Sequence, residues 1–219
     1  MNGTGYTALF IASNQGHLDV TRTLLECGAD SKTRCNGCPT LVVSAHNGHV
    51  EIVRMLLQSG ADPNCSDREG CTSLYMACLR GHTDVVSLLL SRGSDVNIQT
   101  NEGATGLAIA SQMGFIDIVE LLLSQHNVDA NLAGNRQGTP LVRAVSHNHV
   151  HIVKMLIENG ASVHRKIDKD GNTLMHLACR HSNKSIVSLL LRHGVSPHVQ
   201  NNKKRKNLIS VCIIHTIKR

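Results

Sequence analysis

Tryptophan is absent from this 219-residue chain, and aromatic residues make up only 2% of it. No aromatic-centred core is available, so cohesion must come from many Leu, Ile, Val and Ala contacts. No apolar run reaches the ~20 residues that a membrane helix needs, which argues against membrane insertion. No signal-peptide pattern opens the chain at Met1-Asn2-Gly3-Thr4. A Gly-x4-Gly-Lys-Ser/Thr phosphate loop is missing, and neither a Ser/His/Asp set nor a carboxylate pair stands out. The expectation is a protein that is not an enzyme, with no cofactor and no metal.

Charge is also scarcer than the total suggests. The formal charge is +6, yet Lys203, Lys204, Arg205, Lys206, Lys218 and Arg219 account for all of it. Residues 1–202 hold 16 Lys/Arg and 16 Asp/Glu. A neutral body does not predict direct nucleic-acid binding. The eight Cys, without a secretory signal, read as reduced thiols of a cytoplasmic protein with nuclear entry open. Cys78 and Cys179 fall on apolar positions, where a thiol acts as a small hydrophobe.

What is present is a pattern that returns six times. Asn36 to Asn64 reads as a turn, a short helix, a Gly-His corner, a longer helix and a Gly-terminated loop. Its Pro39 corresponds to Thr7, Thr72, Thr105, Thr139 and Thr173, in steps of 32, 33, 33, 34 and 34 residues. Two residues on stand Leu9, Leu41, Leu74, Leu107, Leu141 and Met175. The corners are Gly16, Gly48, Gly81, Gly114, Asn148 and Ser182, and Gly28, Gly60, Gly93, Gly160 and Gly194 close second helices. A fixed period near 33 residues signals a repeat array whose units bury their apolar faces only by stacking.

This register resembles the ankyrin repeat, with its Thr-Pro-Leu-His opening, Gly-His corner and Leu-Leu-x-x-Gly-Ala close. The resemblance covers about 190 of the 219 residues. It implies an all-α fold, an ankyrin-repeat solenoid of stacked helix-turn-helix units with protruding hairpin loops. The array spans 2–202, with repeats at about 2–33, 34–66, 67–99, 100–133, 134–167 and 168–202, followed by 203–219.

Thr at the opening position caps the first helix. A small residue five positions later (Ala12, Ser44, Ala77, Ala110, Ala144, Ala178) allows tight packing. The corner needs positive φ, which suits Gly and is tolerable for Asn148. Ser182 should make the sixth corner the least regular. Second helices carry an apolar quartet at i, i+1, i+4, i+5, as in Ile52-Val53/Leu56-Leu57 and Ile118-Val119/Leu122-Leu123.

Three departures stand out. Ser124 to Asp129 holds a one-residue insertion that should bulge its loop. Gln137 replaces a hairpin Gly, with Gly138 displaced by one. Thr21 makes the first copy's outermost helix slightly more polar, as an end repeat tolerates. In the tail, Leu208 to Ile217 reads as the first helix of a truncated seventh repeat, and both ends look cut from a longer array, or the chain is a short form of one. Lys203, Lys204, Arg205 and Lys206 form a candidate nuclear-import signal or acidic-partner patch, with a solvated hairpin as the alternative.

Several apparent motifs dissolve in register. Cys35 and Cys38 have zinc-ligand spacing, but zinc wants a second tight pair, and Cys38 and Cys71 occupy a variable slot. His147, His149 and His151 alternate across a corner and do not converge as i, i+4 ligands would. Gly3 to Ala8 matches a relaxed dinucleotide fingerprint without a preceding strand.

The resemblance implies partner binding along a concave side built from hairpin tips and first helices. Carried over by register, the groove-lining pairs are Asn14 and Gln15, His46 and Asn47, Leu79 and Arg80, Gln112 and Met113, Ser146 and His147, and Arg180 and His181. The hairpin tips add Arg68 and Glu69, Asn101 and Glu102, Arg136, and Lys166 to Asp170. Leu79 and Met113 inside a polar rim suit a protein or peptide partner. The reading is a monomeric, non-enzymatic interaction scaffold. The alternatives are a targeting or substrate-recognition module of a larger enzyme or ubiquitin-ligase adaptor, and a nuclear regulatory cofactor.

Overall fold

A computed structural model describes residues 5–134 and 138–202. The candidate import signal at Lys203 to Lys206, the helix expected over 208–217, Arg136 and Gln137 lie outside the described residues.

Helices alternate between two layers. The first layer is α1 (Ala8–Gln15), α3 (Thr40–His46), α5 (Ser73–Arg80), α7 (Gly106–Met113), α9 (Pro140–Ser146) and α11 (Leu174–Arg180). The second is α2 (Leu18–Glu26), α4 (Val50–Gln58), α6 (Thr83–Ser91), α8 (Ile116–Leu123), α10 (Val150–Glu158) and α12 (Lys184–Arg192). Each helix packs on its repeat partner and on its equivalents in neighbouring repeats. Strands β1 (Arg34–Cys35) and β2 (Cys38–Pro39) form one small antiparallel hairpin, turning through Asn36 and Gly37 at positive φ. The all-α repeat solenoid is the observed architecture. No described helix is long and apolar enough to cross a membrane.

The local chemistry follows the repeat. Thr7, Thr72, Thr105 and Thr139 hydroxyls each accept the N–H three residues on, at 3.1–3.3 Å. Pro39 caps without a side-chain bond, and at Thr173 the His176 imidazole accepts the cap residue's own N–H at 3.2 Å. All six corners take positive φ, Asn148 and Ser182 included. The bond from Asn183 N–H to Ala178 O across the sixth corner is 3.4 Å, against 2.9–3.2 Å at the other five, so that corner is the loosest.

One apolar cluster runs from Leu9 to Val195 without a break. In the second helices the quartet is buried unevenly. Ile52, Val53 and Leu56, like Ile118, Val119 and Leu122, are enclosed, but the fourth members Leu57, Leu90 and Leu123 are only half-buried. The helix turns ~100° per residue, so i+5 lies at the edge of a stripe centred on i, i+1 and i+4.

Thr21 corrects another expectation. It is 0% exposed, and its Oγ1 has no hydrogen-bond partner among the described residues, so the polarity it adds lies in the core. Its neighbour Val20 carries the exposure, at 52%.

The inserted fourth loop keeps its neighbours in register. Asn64, Asn97 and Asn131 each accept a backbone N–H from the next loop, at 2.8–2.9 Å, and donate to a carbonyl there. For Asn64 and Asn131 that carbonyl belongs to Gly93 or Gly160; for Asn97 it belongs to Asn127 of the insertion, at 2.7 Å. The ladder runs on through the insertion.

Candidate functional site

The positions before each corner lie at the ends of the first-layer helices, and hydrogen bonds link them from repeat to repeat. Asn47 Nδ2 donates to Asn14 O and Oδ1, both at 3.0 Å. Arg80 directs Nε and Nη2 at the same atom, His46 Nε2, at 3.2 and 2.9 Å. Because that nitrogen accepts, the His46 proton sits on Nδ1. Burial holds the His46 pKa below its ordinary 6.5, and the charges of Arg80 and His82 push the same way.

The corner residues form a second ladder. His49, His82 and His149 each donate Nε2–H to a carbonyl of the preceding repeat: Asn14 at 3.2 Å, His46 at 3.0 Å and Gln112 at 2.9 Å. Each ring lies over the preceding corner glycine. His147 donates Nδ1–H to Arg143 O at 3.0 Å and stacks on His149 with centroids 6.3 Å apart. The three alternating histidines are thus engaged by the frame at two of their members. Among the described residues no group of three or more His, Cys, Asp or Glu could hold a metal ion.

Of the predicted apolar anchors, Met113 is 46% exposed and Leu79 is half-buried. Gln15, Asn47, Arg80, His147, Arg180 and His181 are exposed. Ser146 is turned back on its own helix, donating Oγ–H to Val142 O at 2.8 Å. Gln112 serves the protein itself: its Oε1 accepts from Arg143 Nη1 at 2.8 Å.

Arg143 was not among the expected residues. It occupies the slot filled by Ile11, Val43, Met76, Ile109 and Leu177 in the other copies, and a cation at an apolar repeat position was the readable signal. It is 3% exposed, and its Nε and Nη2 are enclosed without a hydrogen-bond partner among the described residues. Burial lowers its pKa, opposed by Tyr75 and Glu102, so the hairpin residue Glu102 borders the same face. Burial first, then Cys71, raises the Tyr75 pKa, and Arg143 works against them.

The hairpins are tied to each other. Asn101 donates Nδ2–H to Arg68 O at 2.8 Å, and Arg34 Nη1 donates to Ser66 O at 2.8 Å. Asp168 sits in the sixth hairpin. Burial would raise its pKa, but hydrogen bonds from Asn172 and Asp170 and the charge of Arg180 bring it below the ordinary value.

None of the described cysteines forms a disulfide. Burial raises Cys38 and Cys65 to about 11 and Cys71 to about 12, with nearby Asp67 or Asp62 adding to it. Such thiols hold little thiolate at neutral pH and make poor nucleophiles.

A family model for ankyrin repeats in three copies matches residues 1–67, 41–134 and 126–201. Among solved structures, the chain is similar to the human ASB11 ankyrin repeat domain, at 30% identity and a TM-score of 0.80, covering 93% of this chain and 90% of that one. It is also similar to the ankyrin repeat domain of Bcl-3, a unique member of the IkappaB protein family. That match has 24% identity and a TM-score of 0.83, covering 98% of this chain and 99% of that one. No curated protein sequence matches.

Proposed function

The chain belongs to the ankyrin-repeat family, and we propose that it is a non-enzymatic scaffold that holds a protein or peptide along the concave, first-layer face of the array. One observation carries this reading: on the adjacent first-layer helices α5 and α7, Met113 is 46% exposed and Leu79 half-buried, and polar Arg80 and Gln112 stand next to them in the chain. Two apolar anchors inside a polar rim are the arrangement of a binding hot spot. The alternative is that these side chains are merely solvated, as exposed Val20 and Ile116 are on the second layer.

The test is affinity capture from cell lysate with mass spectrometry, comparing the unaltered chain with a Leu79→Ala, Arg80→Ala, Met113→Ala variant. Gln112 is left in place, because removing it would strand Arg143 Nη1 and confuse binding with folding. A partner held by the unaltered chain and lost by the variant supports the groove. Equal capture by both moves the site elsewhere.

A further inference from the structure

The neutrality of the array conceals a separation of charge. No Asp or Glu occurs in α1, α3, α5, α7, α9 or α11. Those helices carry Arg80, Arg143 and Arg180, with His46 and His176, and His147 and His181 cap two of them. The carboxylates lie instead on second-layer helices, in loops and on hairpins. Resting on the groove reading above, we infer that the first-layer face takes an acidic peptide segment.

Arg80 and Arg180 are exposed and supply the direct contacts. Arg143 lies beneath the surface, where Gln112 Oε1 accepts from its Nη1 and, among the described residues, its Nε and Nη2 have no acceptor. A cation in a low-dielectric setting projects its field with little screening. Neighbouring helices lie ~8–10 Å apart, so the third to sixth repeats span roughly 30 Å, which about ten extended residues cover. Carboxylates about eight to ten residues apart can therefore reach Arg80 and Arg180 together.

A single-stranded nucleic acid is disfavoured by the same face. It would need aromatic platforms for its bases, and the first-layer helices hold only Phe10, which is buried, and Tyr75, which is half-buried. A continuous line of phosphates would also meet Glu102 and Asp168, which border Arg143 and Arg180. Discrete carboxylates avoid them.

The experiment is fluorescence anisotropy on the full chain at low and high salt. Its probes are fluorescein-labelled alternating Glu-Gly and Lys-Gly peptides of about twelve residues and an oligouridylate of similar length. The proposal expects the Glu peptide to bind, the Lys peptide not to, and binding to fall as salt rises. Arg80→Gln with Arg180→Gln should weaken it about tenfold or more, and Arg54→Gln with Arg192→Gln on the second layer should leave it unchanged. Circular dichroism confirms that both variants fold. Tighter binding of the oligouridylate, indifference to peptide charge, or equal loss in the second-layer variant overturns the acidic preference. If the Glu peptide fails while the lysate partner is still lost with Leu79→Ala and Met113→Ala, the groove stands and its acidic specificity falls. If the Glu peptide responds to the second-layer pair alone, the groove itself is the wrong site.

Discussion

His82 lies flat against Gly48: a Cβ on that glycine would fall 2.7 Å from the ring, while the ring's Nε2 donates to His46 O at 3.0 Å. The same fit recurs at Gly16 under His49, Gly81 under Phe115 and Gly114 under His149. The corner glycine therefore meets two demands, positive φ and a flat seat for the next repeat's ring. The fifth corner obeys the same logic by a different route. Asn148 has a side chain, and the sixth repeat places Asn183, not a ring, above it, with the two amides hydrogen-bonded.

Gly48→Ala should accordingly cost more than Gly93→Ala. Both sites have positive φ, at 77° and 83°, which penalises Ala by about 1–2 kcal/mol. Nothing lies within 4 Å of a Cβ at Gly93, whereas at Gly48 overpacking against His82 adds about 1–3 kcal/mol. Chemical denaturation of Gly48→Ala, His82→Ala and the double variant should show non-additivity of at least about 1 kcal/mol. Additive costs would mean that the ring simply moves aside.

Leu122→Ala should cost ~2–5 kcal/mol, and Leu107→Ala a similar amount, since they are 0% and 1% exposed in the middle of the stack. Leu123→Ala should cost clearly less, because Leu123 is half-buried. Urea midpoints for the three variants check this, and equal shifts at Leu122 and Leu123 would contradict the uneven quartet.

The architecture was legible because each repeat position answers to a local rule. Thr7 caps, Gly16 turns, and Ile52, Val53 and Leu56 face inward whatever their neighbours are. What escaped the sequence depends on pairs a repeat apart. Gly48 reads as a φ requirement until His82 is seen above it. Gln112 reads as a groove residue until Arg143, 31 positions on, claims its Oε1. Thr21 reads as a polar residue near an end until packing encloses it. Arg80 and Met113 are exposed and Leu79 is half-buried, but neighbour-ladder bonds already engage Arg80, Asn47 and Gln112. A period reveals which face a residue shares, not which partner it takes.

Arg143→Met should leave the fold as stable as before or raise its stability, by up to about 4 kcal/mol. Among the described residues the buried guanidinium has two nitrogens without acceptors, and Ile109 and Leu177 fill the equivalent slot at 5% and 7% exposure, so an aliphatic chain fits there. Denaturant unfolding checks the sign. If Arg143→Met is strongly destabilising, the guanidinium has a structural partner that its geometry does not show. The same variant should lower affinity for the Glu-Gly peptide, which would mark Arg143 as a residue whose value lies in the groove and not in the core.

His46 should titrate below 6.5, and Arg80→Gln should move it part of the way back, since burial and His82 remain. The ring accepts two bonds from Arg80 through Nε2, and protonation of that nitrogen removes the acceptor and sets two cations side by side. A group whose folded pKa is depressed binds its proton more readily when the chain unfolds. Between the two pKa values the unfolded state therefore carries more protons, and stability falls as pH drops through 6.5 towards the folded value, then levels off. Proton chemical shifts of the His46 ring against pH measure this directly in both proteins. Arg80→Gln should also flatten the pH dependence of the unfolding midpoint over that window. If His46 titrates at 6.5 in both proteins, the pairing with Arg80 does not persist in solution. Arg80 would then be free for a partner without first giving up His46, and affinity for the acidic peptide should not respond to His46→Ala.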